Sequence, residues 1–575
     1  MSLENDEIKK LVRKFALKNA LDHGKAIEGA VVSRMIFVDP SFKANMKALS
    51  EVIREQVDEV NRLDRASLEK EFAQYAGEFK AAEEKKAETS SKHDFSVDGA
   101  EKGNFVTRFP PEPGGYMHIG HTKAVFIEDV LRKKYDGKLV LYFDDTNPDN
   151  ERQEFVDSFH EDLDWLGITF DREYYASDHM QLIYEHAKRA IGLGKAYVCT
   201  CRRETIGKNR LEGTACEHKA QSAEKNAELW QMMLDGKLGD NEAILRLNSD
   251  IKAVNTTMRD PTLFRIKRAK HYRQQEKYIV WPTYDFSAPI IDSVEGVTDV
   301  LRSKEYEMRD ELYFAVLDIL GLRKPRITSF ARLDISNNVT SKRKVRALIA
   351  ENKIGGWDDP RLVTIRALRR RGITVEAIRE LALSTGMGKA ESSISIDVLL
   401  NMNRRIIDPV AKHLFFVSGP VKVVISDEGE RDAKLRLHPV KDIGFRTYET
   451  WDEFYISRED ADALEVGDTA RLKDLMAIKI VSKDEKAVHA KIFQSQEGRI
   501  VQWVSGRDYV ECTVLVPGTP LDDKENFRED SLKTVDGYAE DYVEKLEEHE
   551  TVQFERFGYC TLDDKEAMRF VFVSK

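Results

Sequence analysis

Long apolar runs, cysteine and excess positive charge are all scarce in this sequence. No apolar run approaches the ~18 residues that a membrane-spanning helix needs, and the acidic N-terminus lacks the charged and then apolar pattern of a signal peptide. Five cysteines in 575 residues are too few for a disulfide framework. We therefore expect a cytoplasmic protein without a membrane segment.

The formal net charge of −11 argues against a general nucleic-acid binder. A specific nucleic-acid interface is still compatible with that charge, because basic residues can be segregated along the chain. Two groups concentrate them here: Arg361, Arg366, Arg369, Arg370 and Arg371, and Arg265, Lys267, Arg268, Lys270 and Arg273.

The length and a hydrophobic content of 41% predict several packed domains. Helical periodicity comes first, strands and helices then alternate, and short strands separated by turns follow Asp408. We predict an α/β plus β multidomain protein whose Rossmann-type nucleotide-binding domain is divided by an insertion. The predicted segments are a helical appendage with a polar linker (1–100), the first half of the Rossmann domain (101–195), the insertion (196–280), the second half (281–345), a helical subdomain (346–408) and β-barrels (409–575).

His118 and His121 follow a turn rich in glycine and proline. Asn104–Arg108 upstream has the composition of a strand, and Thr122–Leu131 downstream has apolar residues at helical spacing. We therefore expect the histidines where a parallel strand passes into a helix, so that free backbone N–H groups and the helix dipole face an anion. Imidazole N–H groups there can stabilise phosphate oxygens, which indicates phosphoryl or nucleotidyl chemistry. The alternative is a chance His-x-x-His pair or half of a metal site.

A second basic motif, Ser341-Lys342-Arg343, lies between the strand-like Thr328–Leu333 and the helix-like Val345–Ile349. Taken alone, Lys342 would be an ordinary surface lysine. Together with the histidine motif, it indicates a site that neutralises phosphate charge.

The two motifs resemble the HIGH and KMSKS signatures of class I aminoacyl-tRNA synthetases. Residues 339–343 stand in the place of KMSKS, although only Ser341 and Lys342 are unchanged. The wider segment 108–121 resembles the glutamyl/glutaminyl group, as do the segments Phe143–Asn147, Trp165–Gly167 and Trp281–Phe286.

The C-terminal part extends this resemblance. Segments 501–505 and 552–559 are similar to the two β-barrel anticodon-binding domains of glutaminyl enzymes and of archaeal or eukaryotic glutamyl enzymes. From residue 101 onward the chain is thus similar to the archaeal or eukaryotic glutamyl branch.

The resemblance implies an enzyme that activates an amino acid with ATP and Mg²⁺ and transfers it to tRNA. The residues that it matches to ATP binding are His118, Gly120, His121, Ser341, Lys342 and Arg343. Of these, His118, His121 and Lys342 would be catalytic, because they would stabilise the charge that develops as pyrophosphate leaves. Gly120 would leave room for the adenine ring.

The resemblance also implies L-glutamate as the amino acid. Asp144 matches the family acid that pairs with the α-amino group, Tyr284 matches the tyrosine that reads the side chain, and Arg108 resembles a further pocket residue. Arg302 stands at the position where glutamate enzymes have arginine and glutaminyl enzymes usually do not. It lies in a region whose sequence looks rich in helix. A fixed guanidinium suits a side-chain carboxylate.

Three interpretations follow: a glutamyl enzyme, a glutaminyl enzyme and a noncatalytic tRNA-binding paralogue. Arg302 weighs against the second, and the intact His118, His121 and Lys342 weigh against the third. The expected partner is tRNA(Glu), and whether tRNA(Gln) is also charged stays open.

Three of the five cysteines cluster with one histidine, as Cys199-x-Cys201 and Cys216-x-His218. Three sulfurs and one nitrogen suit tetrahedral Zn²⁺, whose binding would fold the inserted segment. The alternative is a set of reduced thiols without a metal, because these spacings are tighter than usual for zinc.

Overall fold

The computed structural model describes residues 5–23, 25–38, 46–64, 67–68, 70–73, 75, 95–390, 393–426, 429–484 and 486–575. The polar linker predicted around residues 80–92 lies outside the described residues. The chain divides into two units, Met1–Asp94 and Phe95–Lys575. None of the described helices has the length and hydropathy of a membrane-spanning segment.

The first unit contains the helices α1 (Asn5–His23), α2 (Glu28–Val38) and α3 (Met46–Asn61). Helix α3 is amphipathic, because its apolar residues Leu49, Ile53, Val57 and Val60 recur at helical spacing and are all buried. They pack with apolar residues of α1 and α2 in one core. The helical character predicted for this part of the chain agrees with these elements.

The second unit begins with alternating strands and helices. They are β1 (Val106–Phe109), α4 (Ile119–Lys134), β2 (Lys138–Phe143), α5 (Gln153–Trp165), β3 (Arg172–Tyr175) and α6 (Met180–Gly192). The three strands are parallel, in the order β1-β2-β3. Strand β2 is apolar on both faces and buried from Leu139 to Phe143, as expected for a central parallel strand that is covered on both sides.

An antiparallel sheet interrupts this pattern. It contains β4 (Ala196–Cys199), followed by α7 (Arg203–Glu212) and α8 (Ala223–Leu234), then β5 (Ile244–Leu247), β6 (Thr262–Ile266) and β7 (Val280–Pro282). The strand order is β4-β5-β6-β7. Trp230, Phe264 and Trp281 are buried in its core.

Parallel pairing then resumes. Helix α9 (Tyr284–Val294) precedes β8 (Asp299–Ser303), and α10 (Asp310–Leu320) precedes β9 (Arg326–Phe330), which pairs with β8 in parallel. The N–H of Thr298 donates to the carbonyl of Val106, so β8 starts beside β1. The carboxyl ends of β1, β2, β8 and β9 therefore face the same region, where ligands of such sheets usually bind.

Helices dominate the next segment. Its elements are β10 (Asp334–Ile335), α11 (Lys342–Ala350), α12 (Ile365–Arg370), α13 (Val375–Ser384), β11 (Ser393–Ile394) and α14 (Ile396–Ile407). Apolar residues of α13 and α14 join the core that also contains Ile119 and Val125 of α4. This packing fixes α4, and with it the two histidines, against the helical segment.

The C-terminal part is built of short strands. The first six are β12 (Lys412–Leu414), β13 (Phe416–Ser418), β14 (Val421–Ile425), β15 (Arg431–Arg436), β16 (Phe445–Thr450) and β17 (Glu453–Ile456), and the short helix α15 (Arg458–Asp462) follows them. The remaining strands are β18 (Thr469–Leu472), β19 (Met476–Lys483), β20 (Ala487–Ile492), β21 (Arg499–Val501), β22 (Val504–Ser505), β23 (Tyr509–Pro517), β24 (Leu532–Glu540), β25 (Thr551–Phe554), β26 (Gly558–Asp564) and β27 (Arg569–Ser574). Within the described residues they form two seven-stranded sheets, β12-β25-β26-β27-β23-β24-β13 and β21-β18-β19-β20-β14-β17-β22, and the hairpin β15-β16.

Six of the ten residues in the two basic groups form ion pairs with acids. The pairs are Arg361–Asp359, Arg366–Glu161, Arg370–Asp563, Lys267–Asp149, Arg268–Asp240 and Arg273–Asp178. Arg371 is buried and donates to the carbonyl of Val573. These contacts offset part of the positive charge that the two groups concentrate.

Candidate active site

A cavity of about 680 Å³ opens at the carboxyl ends of β1, β2, β8 and β9. Seven of the residues selected from the sequence line it: Arg108, Gly120, His121, Asp144, Tyr284, Arg302 and Lys342. The fold thus brings together side chains from five elements and the loops between them. One end carries Arg108 and Arg302, and the acidic Asp144 follows β2.

His118 and His121 are fixed by the backbone at the start of α4. His118 is the N-cap residue, and its Nδ1 accepts the N–H of Gly120 at 3.1 Å. The Nδ1 of His121 accepts the N–H of His118, also at 3.1 Å, and the ring centroids are 4.0 Å apart. Because each Nδ1 is an acceptor, each neutral ring carries its proton on Nε2, which can donate to a ligand.

Both imidazoles are uncharged at neutral pH. Burial lowers the pKa of His118 to about 4, and the neighbouring cations Lys342 and Arg332 act in the same direction. Burial also lowers the pKa of His121 well below its ordinary value, with further lowering by His118 and Lys342. The pair therefore offers two oriented, neutral N–H donors.

The backbone N–H groups at this helix start are already bonded. The N–H of Ile119 donates to the carbonyl of Val363 at 2.9 Å, and those of Gly120 and His118 donate to the imidazoles. The expectation of free backbone donors facing an anion is therefore wrong at these residues. Any hydrogen bonds from this motif to phosphate must come from the imidazole Nε2 atoms.

Gly120 is required by close packing. A Cβ atom there would lie 2.8 Å from Cε1 of His118 and 3.3 Å from the carbonyl oxygen of Leu333. Any larger residue would displace the His118 ring from its position on the Gly120 N–H.

The second motif forms a helix start rather than a loop. Ser341 caps α11 by accepting the N–H of Lys344, and Lys342 is the first residue of the helix. The Nζ of Lys342 donates to the carbonyl of Glu112 at 3.0 Å and lies 3.4 Å from its carboxylate. Arg343 is exposed on the same turn. Lys342 is thus held over the cavity mouth by few contacts.

Arg108 is buried and fully engaged. Its Nε and one terminal nitrogen donate to the two carboxylate oxygens of Asp292 at 2.9 and 3.3 Å, and the other terminal nitrogen donates to the carbonyl of Leu301. The hydroxyl of Tyr313 also donates to Asp292. A signal that could have identified Asp292 is its position as an acid within the mostly apolar helix Tyr284–Val294.

Arg302 is the arginine with free donors. It lies on β8 rather than in a helical region, and it is 6% exposed. One terminal nitrogen pairs with Asp310, while Nε and Nη1 have no hydrogen-bond partner among the described residues. Buried guanidinium N–H groups without acceptors are costly, so this site favours a ligand with a carboxylate.

Asp144 supplies a free acceptor in the same cavity. Its Oδ1 is buried and has no hydrogen-bond partner in the described part of the chain. Burial and the neighbouring Glu112 raise its pKa to about 7, although Arg265 opposes the shift. Tyr284, the first residue of α9, is buried beside Arg108 and Arg302. A bound ammonium would favour the charged form of Asp144.

The cavity is also lined by polar residues to which the sequence assigned no role in ligand binding. Among them are Glu112, Glu128, Glu151, Arg265, Tyr306, Arg309 and Arg332.

Cys199, Cys201, Cys216 and His218 converge at the end of β4. Their four ligand atoms lie within 4.8 Å of one another, with 3.8 Å between the sulfurs of Cys199 and Cys216 and 3.4 Å between the Cys201 sulfur and Nδ1 of His218. A tetrahedral zinc ion separates its sulfur ligands by about 3.8 Å. The Nε2 of His218 lies 2.9 Å from the hydroxyl of Thr200, an arrangement that leaves Nδ1 free for a metal. The residues present therefore fit Zn²⁺.

The chain matches three family descriptions. Residues 104–409 match tRNA synthetases class I (E and Q), catalytic domain, and residues 411–494 and 500–563 match two anti-codon binding domains of the same synthetases. A glutamate–tRNA ligase of Nitrosopumilus maritimus is 40% identical over 564 residues, which cover 98% of each chain. A glutamate–tRNA ligase of Pyrococcus furiosus is 36% identical, with 97% of each chain covered, and one of Cenarchaeum symbiosum is 37% identical, with 95% of this chain and 96% of that one covered.

Proposed function

The chain belongs to the family of class I tRNA synthetases for glutamate and glutamine, and from that membership we propose that it is a glutamate–tRNA ligase. It activates L-glutamate with ATP to glutamyl-adenylate and transfers the glutamyl group to the 3′ end of tRNA(Glu). The observation that supports glutamate most strongly is Arg302, whose Nε and Nη1 lack acceptors at the wall of the cavity. The curated relatives named above carry the same activity in their names.

Glutamate binds between the two charged regions of the cavity. Asp144 receives the α-ammonium group, and Arg302 and Tyr284 receive the side-chain carboxylate. Arg108 contributes to the same end, although its guanidinium is occupied by Asp292. Glutamine would present an amide nitrogen to a guanidinium that can only donate, which disfavours the glutaminyl alternative.

ATP enters as its Mg²⁺ complex, with the metal neutralising charge on the phosphates. A carboxylate oxygen of glutamate attacks the α-phosphorus, the bond to the bridging oxygen breaks, and pyrophosphate leaves. His118 and His121 donate from Nε2 to the phosphate oxygens, and Lys342 stabilises the departing pyrophosphate with help from Ser341 and Arg343. A ribose hydroxyl of the terminal tRNA nucleotide then attacks the glutamyl carbonyl and releases AMP.

Charging of purified tRNA tests this proposal. With labelled glutamate, ATP and Mg²⁺, the protein should charge tRNA(Glu), and the same assay with tRNA(Gln) decides whether that tRNA is also a substrate. Charging with labelled glutamine but not with glutamate would support the glutaminyl alternative. No charging with either amino acid would favour the noncatalytic paralogue.

The pH dependence of glutamate binding should reflect Asp144. Because the pKa of its buried carboxyl is raised to about 7, a proton competes with the ammonium group of the substrate below that pH. The glutamate KM should therefore fall as the pH rises through about 7. Steady-state kinetics of ATP–pyrophosphate exchange with tRNA present would measure this change. In Asp144→Asn the glutamate KM should be higher, and its dependence on pH near 7 should disappear. If the pH dependence persists in this variant, it comes from another group.

The cluster of Cys199, Cys201, Cys216 and His218 binds Zn²⁺, which folds the inserted segment rather than taking part in the reaction. Burial and the neighbouring thiols raise the pKa of Cys201 to about 12, and a bound cation would favour its thiolate form.

Metal analysis should find about one zinc per chain in protein purified without chelators. Cys199→Ser combined with Cys201→Ser should lose the metal and make the segment 199–220 more susceptible to limited proteolysis. The matched control is Cys512→Ser with Cys560→Ser, because these two thiols are buried far along the chain and lie outside the cluster. Wild-type protein without zinc would favour the interpretation as reduced thiols.

The remaining assignments concern the domains. Residues 101–195 and 281–345 form a divided Rossmann-type domain, 196–280 contact the acceptor end of tRNA, and 409–575 form β-barrels that bind the anticodon. The helical segment 346–408 connects them, and residues 1–100 form an appendage. None of the five cysteines forms a disulfide, which suits the reducing cytoplasm.

A further inference from the structure

Glu128 is a buried acid in the wall of the active-site cavity. On α4 it follows His121 by seven residues and Ala124 by four, so the three residues share the helix face that lines the cavity. Its side chain is buried, and neither carboxyl oxygen has a hydrogen-bond partner among the described residues. A buried carboxyl without partners is costly, which indicates that a ligand completes its hydrogen bonding.

Burial determines the charge state of Glu128. It raises the pKa of the carboxyl well above the ordinary value, and Arg108 opposes this shift. The guanidinium of Arg108 is already paired with both oxygens of Asp292, so it compensates little further negative charge. Burial therefore favours the uncharged acid, which has one O–H to donate.

The elements packed against α4 carry other titratable groups. They are Tyr142 on β2, Arg302 on β8 and Arg379 on α13, and α4 itself carries His121, Lys123 and Asp129. Arg379 lies 3.5 Å from Asp129, and Lys123 donates to the carbonyl of Ala331, so these cations are engaged elsewhere.

The charge of Glu128 matters because both arginines at this end of the cavity have aspartate partners. Arg108 is paired with Asp292, and Arg302 with Asp310. An ionised Glu128 would give this end a net negative charge and would disfavour a ligand carboxylate. As the acid, it leaves the end neutral and adds an O–H donor to the free N–H groups of Arg302.

We propose that Glu128 is a binding residue that donates a hydrogen bond to the side-chain carboxylate of the amino acid. This role rests on the proposed function, because it takes glutamate as the substrate.

Two variants separate the hydrogen bond from the volume of the side chain. Glu128→Gln keeps an uncharged donor of nearly the same shape, and Glu128→Met keeps the volume without a donor. Glutamate kinetics should be measured by ATP–pyrophosphate exchange with tRNA bound, from about pH 6.5 to about pH 9.5. Thermal unfolding of each variant checks that it is folded.

At about pH 7.5, Glu128→Gln should have a glutamate KM within about threefold of the wild type, whereas Glu128→Met should raise KM about tenfold to a hundredfold with little change in kcat. A rise of KM with pH that comes from ionisation of Glu128 should be absent in Glu128→Gln.

A folded Glu128→Met variant with the wild-type KM would overturn the proposal. If Glu128→Met does not fold, Glu128→Gln decides: because this variant keeps an uncharged donor of nearly the same shape, a glutamate KM raised about tenfold or more in the folded variant would be equally contradictory. A wild-type protein inactive with glutamate at every pH would instead refute the proposed function, so the two failures are distinguishable.

Discussion

Arg302→Ala is expected to lower kcat/KM for glutamate by roughly 30-fold to several-thousand-fold, mainly through a higher KM. The variant removes the guanidinium whose Nε and Nη1 lack acceptors in the described structure. It also leaves Asp310 without its ion-pair partner, so the end of the cavity that should hold a carboxylate becomes more negative. Discrimination against glutamine should weaken at the same time, because a desolvated cation no longer demands an anion. Exchange kinetics with each amino acid, measured with tRNA bound, would give both quantities.

Arg326→Ala is the matched control for this variant. Arg326 forms an ion pair with Asp299, at the other end of the same strand pair and outside the cavity. The Arg326→Ala variant should be less stable than the wild type, but its preference for glutamate over glutamine should not change. If Arg302→Ala still preferred glutamate over glutamine as strongly as the wild type, Arg302 would not be the specificity residue.

Lys342→Ala is expected to slow ATP–pyrophosphate exchange by about 10²- to 10³-fold and to leave the fold intact. Its Nζ contacts only the carbonyl and the carboxylate of Glu112 among the described residues, and the side chain is 24% exposed. Such contacts contribute little to stability, whereas a cation beside the departing pyrophosphate acts mainly in the transition state. The loss should therefore appear in kcat.

Lys353→Ala provides the comparison. Lys353 lies just after α11, the helix that begins with Lys342. Its Nζ pairs with Glu351 at 2.9 Å, and it lies outside the cavity. Its exchange rate should stay within about threefold of the wild type. Equal rates for the two lysine variants would contradict the role of Lys342 in the transition state.

The residues that could be recognised from the sequence are those carried by local motifs. His118, His121 and Lys342 stand in short segments whose composition and neighbours indicate nucleotide chemistry. The fold then adds what the motifs do not contain: α4 starts against Val363, so its backbone donors are occupied and only the imidazole Nε2 atoms remain. That contact joins residues more than 200 positions apart, and no local pattern records it.

The glutamate pocket also depends on contacts between residues distant in sequence, which local motifs do not record. Arg108 and Arg302 look equivalent as arginines in the sequence, yet the partner of Arg108 lies 184 residues away and occupies it fully, while Arg302 keeps free donors. Whether a buried cation is available to a ligand depends on acids that are distant in sequence. Strand boundaries depend on distant partners too, because the segment 501–505 spans β21 and β22, which pair with different neighbours.

The measurement that tests the central claim most directly is amino-acid-dependent ATP–pyrophosphate exchange by the full chain with tRNA(Glu) present. Each of the standard amino acids should be supplied separately, at equal concentration and at a pH of about 7.5, which is above the pKa of about 7 of Asp144. Glutamate should support exchange, and glutamine should be slower by at least about two orders of magnitude. Exchange with glutamine as fast as with glutamate, or exchange with neither, would contradict a glutamate-activating site built on Arg302 and Asp144.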